Sequence, residues 1–377
     1  MNLSIWEKQS FFAPADCLII GSGFVGLWSA YWLKKKDPRL RITILERGLI
    51  PSGASTRNAG FACFGSLTEL LADADIMGID RTLELVEMRY KGIERIRKTF
   101  PGKQIDFEPS GGFDLLTDKD RQQYSDLDSR IEWLNRQLKT ITGNKATFQV
   151  VSERISELGL TGFSTMIENR FEGGLHSGKL CQQLLALVQG MGVTILNGMD
   201  VTTLERSSDG FIAHLSQLPE LMALQVLICT NAFATKLLPD IEVVPARGQV
   251  LLTSPIEDLP LKGTFHYDHG YYYFRNLGDR ILLGGARNKD FLSEQTLEIE
   301  TTGVIQTELE RFLSEHILAG REYHITDRWS GIMAMGPEKL PVIRQVEDGL
   351  FCAVRMSGMG VALAPIAGQK IARMMLQ

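Results

Sequence analysis

Gly21-Ser22-Gly23-Phe24-Val25-Gly26 has the G-x-G-x-x-G spacing that holds the pyrophosphate of a dinucleotide. Gly21 permits a tight turn, Gly23 lets backbone N–H groups approach a phosphate, and Gly26 lets helix and strand pack closely. Glu46 lies twenty residues beyond Gly26 and is followed by Arg47. A carboxylate at that distance accepts hydrogen bonds from a ribose diol, and its charge disfavours a 2′-phosphate. NAD and FAD share this fingerprint. A second glycine turn, Ser357-Gly358-Met359-Gly360, follows the last apolar run and opens the last helical one. There the backbone N–H groups and the helix dipole could stabilise negative charge at the pyrimidine edge of a reduced flavin.

Other reactive side chains are spread thinly. Tyr271, Tyr272 and Tyr273 alternate along an expected strand, so Tyr271 and Tyr273 share one face and could line an aromatic wall. Arg275 and Arg287, on expected strands of the same block, could meet an anionic group. His266 and His269, with Asp268 between them, read as surface-loop histidines able to take a proton near neutral pH. No His-Glu-x-x-His, paired Cys-x-x-Cys or other ligand cluster is spaced for a metal, so none is expected. Ser164, Ser330 and Ser357 lack the strand, Gly-x-Ser-x-Gly and helix setting of a hydrolase nucleophile.

These residues need a scaffold, and its periodicity is readable. An apolar run at 17–20, a helical pattern at 24–36 stopped by Asp37-Pro38, and a second apolar run at 41–46 predict a βαβ unit. A helix is predicted at 82–100. Another runs from the Thr117/Asp120 capping box through Leu138, with a strand at 112–116 between the two. Further strands are predicted at 193–196, 211–215, 225–229, 249–253, 271–275, 280–283 and 350–354. Helices are predicted at 180–189, through Ile305, Leu309, Phe312 and His316, and at 361–376. The alternation predicts two interleaved domains, each built from separate segments.

Composition narrows the partners. The 377 residues carry 40 basic and 45 acidic groups, net −5, which gives no field to hold nucleic acid or an anionic membrane. Five cysteines lie far apart, predicting reduced thiols in the cytoplasm. No run has the length of a membrane span or the pattern of a cleaved leader.

The βαβ unit, Gly53-Ala54-Ser55-Thr56-Arg57-Asn58-Ala59-Gly60-Phe61, Cys229-Thr230-Asn231-Ala232-Phe233, Pro245-Ala246-Arg247-Gly248-Gln249 and the second glycine turn occur in this order. Together they resemble the D-amino-acid oxidase superfamily of FAD-dependent oxidoreductases. The resemblance implies an α/β fold in which a Rossmann-like FAD-binding domain of the glutathione-reductase type is interleaved with a mixed-sheet α+β substrate domain. The expected segments are 1–84, 151–244 and 321–377 for the first, and 85–150 and 245–320 for the second. It also implies that Gly21, Ser22, Gly23, Phe24, Val25 and Gly26 hold the pyrophosphate, that Glu46 and Arg47 meet the ribose, and that Val201 meets the adenine. Ser55, Arg57, Asn58, Ala59 and Gly60 would run along the pyrophosphate and isoalloxazine. Thr230, Asn231, Gly331, Gly358, Met359, Gly360 and Val361 would complete the cofactor contacts. Arg57 stands where relatives with a covalent flavin carry histidine, and Gly331-Ile332-Met333-Ala334-Met335 lacks the cysteine used by others, so the FAD is expected to be non-covalent. Met333 also occupies the segment from which glycine oxidases and D-amino-acid oxidases project an arginine to the substrate carboxylate.

Trp329-Ser330-Gly331 with Leu340-Pro341-Val342-Ile343 is similar to the amine-oxidising branch that includes gamma-glutamylputrescine oxidase. The implied activity is oxidation of a C–N bond in an amine or amino acid by hydride transfer to flavin N5, with O2 or another acceptor taking the electrons. Tyr271, Tyr273, Arg275, Trp329 and Met333 would face the substrate. Two other activities fit the same fold: dehydrogenation of a hydroxy acid or polyol phosphate, and flavin binding without oxidase turnover.

Overall fold

The computed structural model describes residues 2–216 and 220–377 and is organised by two mixed sheets. Ala15–Ile20 and Ile42–Glu46, almost wholly buried, pair in parallel with Cys17 opposite Ile42. Parallel strands need a crossover that covers the sheet, and Phe24–Lys36 provides it. Leu221–Ile228 and then Leu350–Val354 extend the sheet on one side, and Thr194–Asn197 on the other. Val342–Glu347 adds an antiparallel edge, and Val201–Ser207 with Gly210–Leu215 branches from Leu221–Ile228.

The second sheet runs in the order 325–335, 244–253, 280–285, 272–277, 264–267, 112–116, 165–169, 148–150. All its neighbours are antiparallel except Thr264–Tyr267 against Gly112–Leu116. One face packs its own core, where Phe113, Phe265 and Phe274 stack with centroids 5.0 and 4.9 Å apart and Gly303–Phe312 lies across them. Leu116, Phe148 and Ile167 of this sheet join the core that covers the first sheet, as Ile332 and Ala334 join the core on its other side, and the pocket described below draws its walls from both sheets.

Several boundaries differ from the sequence expectation. Ile79–Thr99 and Leu127–Thr142, expected within the 85–150 substrate segment, bury Leu85, Val86, Ile93, Ile96, Ile131, Leu134 and Leu138 in the core that covers the first sheet. An amphipathic helix settles where its apolar stripe finds a partner: Ile79–Thr99 packs on Gly360–Met375, and Leu127–Thr142 packs on Ile79–Thr99. Thr165–Asn169, from the 151–244 segment, and Ile325–Met335, from the 321–377 segment, belong to the second sheet. The single helix expected after Thr117 is two, Asp118–Gln123 and Leu127–Thr142, although its capping box is present. All five cysteines are buried and unpaired.

Candidate active site

A cavity of about 600 Å³ lies between the sheets, within the size range of small-molecule and cofactor sites. One end of it is built by the first glycine turn. Gly21 has φ +104°, and a Cβ on Gly26 would stand 2.1 Å from the Gly21 carbonyl oxygen, so the turn excludes any side chain at that position. Gly23, Phe24 and Val25 line the cavity at the N-terminus of Phe24–Lys36, where the dipole favours an anion. Ser22 and Gly26 do not reach it. Ser22 instead donates its backbone N–H (3.1 Å) and its hydroxyl (2.7 Å) to Glu46 Oε2, while the Gly48 N–H reaches Oε1 at 3.0 Å. The carboxylate is thereby fixed at the cavity wall beside Arg47, whose guanidinium stacks 3.8 Å over the Phe233 ring. Val201, Thr230 and Asn231 complete this end.

Ala54–Arg57 forms a short helix along one wall, and Ser55, Arg57, Asn58 and Ala59 line the cavity. Their polar atoms brace the loop itself. Ser55 Oγ accepts from the Phe24 N–H (2.9 Å), and Arg57 donates to the carbonyls of Ser52 (2.8 Å) and Ser330 (2.9 Å). Asn58 Oδ1 accepts from the Gly60 N–H at 2.8 Å and from the Ser177 hydroxyl. Gly60 lies behind the wall, and its carbonyl accepts from Arg275.

The cavity is also lined by Gly331, Met333, Gly358, Met359, Gly360 and Val361, and by Tyr271, Tyr273, His266, His269 and Arg287. Tyr272 turns into the second core, so the alternation read from the sequence holds. Two expected substrate contacts do not reach the cavity. Arg275 is 3% exposed and spends its guanidinium on the carbonyls of Gly60, Leu175 and Asn276 at 2.9–3.1 Å. Trp329 likewise donates its indole N–H to the Arg57 carbonyl at 3.0 Å. Both positions hold walls together because a buried donor must be satisfied, and backbone carbonyls were nearer than solvent. His266 is 5% exposed rather than a loop histidine, and burial pushes its pKa down to about 4. Burial also lifts Tyr273 to about 12, so both rings are neutral at pH 7.

Sequence reasoning missed an ionic cluster. Lys339, Glu69 and Asp73 line the cavity, with Lys339 Nζ 2.8 Å from a carboxylate oxygen of each and Arg89 3.6 Å from Glu69. Burial alone would raise the Glu69 pKa, but Lys339 and Arg89 hold it down at about 2. Ser66 caps the helix that presents the two acids, Leu67–Met77, and the Ser66 and Glu69 pair was the available signal.

The walls fit a large polar ligand. Thr230 Oγ1 and Ser357 Oγ are buried at the cavity without a partner in the protein, and buried hydroxyls are ordinarily satisfied. Over residues 16–374 the sequence matches the DAO family model, described as FAD dependent oxidoreductase. The chain belongs to this family. FAD is its cofactor, and the glycine turn, the fixed Glu46 and the unpartnered hydroxyls form a site that could hold it.

Three relatives frame this FAD-dependent oxidoreductase. The bifunctional protein ThiO/ThiG of Synechocystis sp. is 23% identical over 369 residues, covering 96% of this chain and 52% of that protein. The chain thus spans about half the length of that relative. Glycine oxidase of Geobacillus kaustophilus is 22% identical over 373 residues, and its crystal structure superposes with a TM-score of 0.77, covering 96% of this chain and 95% of the other. A dithionite-reduced L-alpha-glycerophosphate oxidase from Mycoplasma pneumoniae with FAD bound also has a TM-score of 0.77, at 13% identity, covering 97% and 95%. These likenesses establish the α/β fold with its Rossmann-like FAD domain. Among the described residues no helix is long and apolar enough to cross a membrane.

Proposed function

We propose that this flavoenzyme oxidises the C–N bond of an amine or amino acid and that Arg287 holds an anionic group of the substrate. The supporting observation is the position of Arg287. It lines the cavity, pairs with no carboxylate among the described residues, and shares the lining with Tyr271, Tyr273 and the neutral His266. Burial lowers its pKa, yet a guanidinium stays charged. A partly buried cation without a counter-ion favours an anionic ligand, and its fork geometry suits a carboxylate. Arg287 lies in the 3-10 turn Arg287–Lys289 rather than on the expected strand, and it would stand in for the arginine that relatives project from the Met333 segment.

Bound FAD supplies acceptance of a hydride at N5 from the C–H beside nitrogen. The protein's share is position and protonation state. Gly21, Gly23, Phe24 and Val25 would hold the pyrophosphate, Glu46 and Arg47 the ribose, and Val201 the adenine. The edge from Ser357 to Val361, with Ala59, Gly331 and Met333, would hold the flavin ring without a covalent bond. Carboxylate binding at Arg287 turns the amine toward the ring, and this orientation lowers the barrier more than any single polar group. Neutral His266 adds no positive charge beside the amine, and the amine reacts in its free-base form.

The test is an absorption spectrum before and after acid precipitation, followed by anaerobic addition of amine, amino-acid and hydroxy-acid pools. FAD released into the supernatant, and bleaching of the native protein by amines or amino acids, is the expected result. Bleaching by hydroxy acids or polyol phosphates alone would replace C–N with C–O oxidation, and bleaching by dithionite alone would leave a flavin-binding protein without turnover.

A further inference from the structure

Three donor side chains from distant segments meet beside the cavity. Cys63 follows the short strand Phe61–Ala62, Glu172 precedes its antiparallel partner Gly173–Gly174, and His266 sits on Thr264–Tyr267 of the second sheet. One donor atom from each lies within 4.8 Å of the other two, and all three residues are buried. We propose that Cys63, Glu172 and His266 bind one zinc ion whose remaining coordination position opens onto the cavity.

The donor chemistry selects the metal. Sulfur, nitrogen and oxygen donors together suit zinc, whereas calcium and magnesium take oxygen. Three protein ligands with one open position is the pattern of zinc sites that engage water or substrate. Tetrahedral zinc spaces its donors about 3.3–3.6 Å apart, given its usual bond lengths, so side-chain movements of about 1 Å close the site. A thiolate, a carboxylate, a neutral imidazole and a divalent ion sum to zero charge, which a buried site tolerates. Binding replaces the thiol and carboxyl protons, and both leave for solvent.

Two independent observations point the same way. His266 Nε2 is buried and has no hydrogen-bond partner, although His266 is only 5% exposed. An imidazole nitrogen left in that state is open to an ion or a water. Glu172 is 1% exposed and already oriented, with Oε1 accepting from the N–H groups of Phe64 (2.7 Å) and Gly65 (3.1 Å). Such outer hydrogen bonds fix the direction of metal-binding carboxylates. Cys63 and His266 line the cavity while Glu172 closes the site from behind, so an ion enters from the pocket side. Among the described residues no other group of three such side chains converges.

The holoenzyme is incubated with zinc chloride and desalted, and its zinc and FAD are then measured by mass spectrometry and absorbance. About one zinc per chain is expected. Cys63→Ser and Glu172→Gln should each lower zinc affinity at least tenfold while retaining FAD, and Cys181→Ala, at a buried cysteine elsewhere, should retain both. Wild type without zinc, or Cys63→Ser with a full complement, would overturn the site. If neither ligand variant folds, X-ray absorption of the zinc-loaded wild type decides. One sulfur near 2.3 Å with nitrogen and oxygen at about 2.0–2.2 Å supports the assignment. A shell lacking sulfur overturns it.

Discussion

Arg275 Nη1 donates to the Gly60 carbonyl at 3.0 Å, tying the second sheet to the loop that borders the cofactor end of the cavity. The same nitrogen reaches the Leu175 carbonyl at 3.1 Å. Arg275→Leu takes the guanidinium from the Leu175 carbonyl, at about 1–3 kcal/mol, while the Gly60 carbonyl keeps the Leu175 N–H at 2.7 Å. The melting temperature of the variant should fall by several degrees. Substrate KM in whatever protein folds should stay within about twofold, because Arg275 is behind the wall.

Arg287 should behave in the opposite way. Arg287→Leu removes a charged partner worth about 1.5–3 kcal/mol, equivalent to a rise of about tenfold or more in KM for anionic amines. Uncharged amines should be affected much less. Arg287→Lys keeps the charge but not the fork and should fall between the two. Steady-state kinetics on matched amine and amino-acid substrates checks this, and equal losses for both substrate types would remove the anchor role.

Glu46→Ala should release FAD. Its carboxylate is held by three donors at 2.7–3.1 Å, so the position it offers a ribose diol is already paid for in the folded protein. Loss of charge-assisted hydrogen bonds worth about 1.5–3 kcal/mol corresponds to about a tenfold to hundredfold rise in FAD dissociation constant. Equilibrium dialysis with flavin fluorescence measures it.

Glu69 sets an acid-dependent term. Its folded pKa of about 2 lies below the ordinary 4.5, so its contribution to stability is complete above about pH 5 and declines as pH falls toward 2. Glu69→Gln leaves Lys339 and Arg89 with one fewer counter-charge and lacks this titration. The gap in melting temperature between wild type and variant should therefore be widest at pH 6–7 and narrow by pH 3. A constant gap across that range would exclude Glu69 as the titrating group.

Local elements were legible wherever one periodicity dominated. The helix at 24–36 and the strands at 112–116 and 350–354 have the same limits in the structure as in the sequence. Their apolar runs end at strong breakers or caps. Ile325–Met335 was not anticipated, because Asp327, Arg328 and Ser330 interrupt its alternation and its partner Val244–Thr253 lies some eighty residues away. The glycine turns and Glu46 were legible because phosphate and ribose recognition act over a few residues. Whether an arginine faces the cavity or its backing was not, since Arg275 and Arg287 share chemistry and differ only in what the fold sets beside them. The Cys63, Glu172 and His266 meeting had no spacing to betray it, as it depends on pairings within two different sheets.

The close seating of Gly360–Met375 on Phe24–Lys36 bears on the order of events during synthesis. A Cβ on Gly368 would lie 2.7 Å from the Ser29 backbone nitrogen, so the two helices meet nearly backbone to backbone, and Trp32 donates to the Pro365 carbonyl at 2.9 Å. The dinucleotide turn leaves the ribosome more than three hundred residues ahead of the helix that buttresses it. A chain halted before residue 360 has the fingerprint but neither this support nor the second glycine turn. Capture of FAD should therefore wait until Gly360–Met375 has been made, which makes flavin content a reporter of synthesis past that helix.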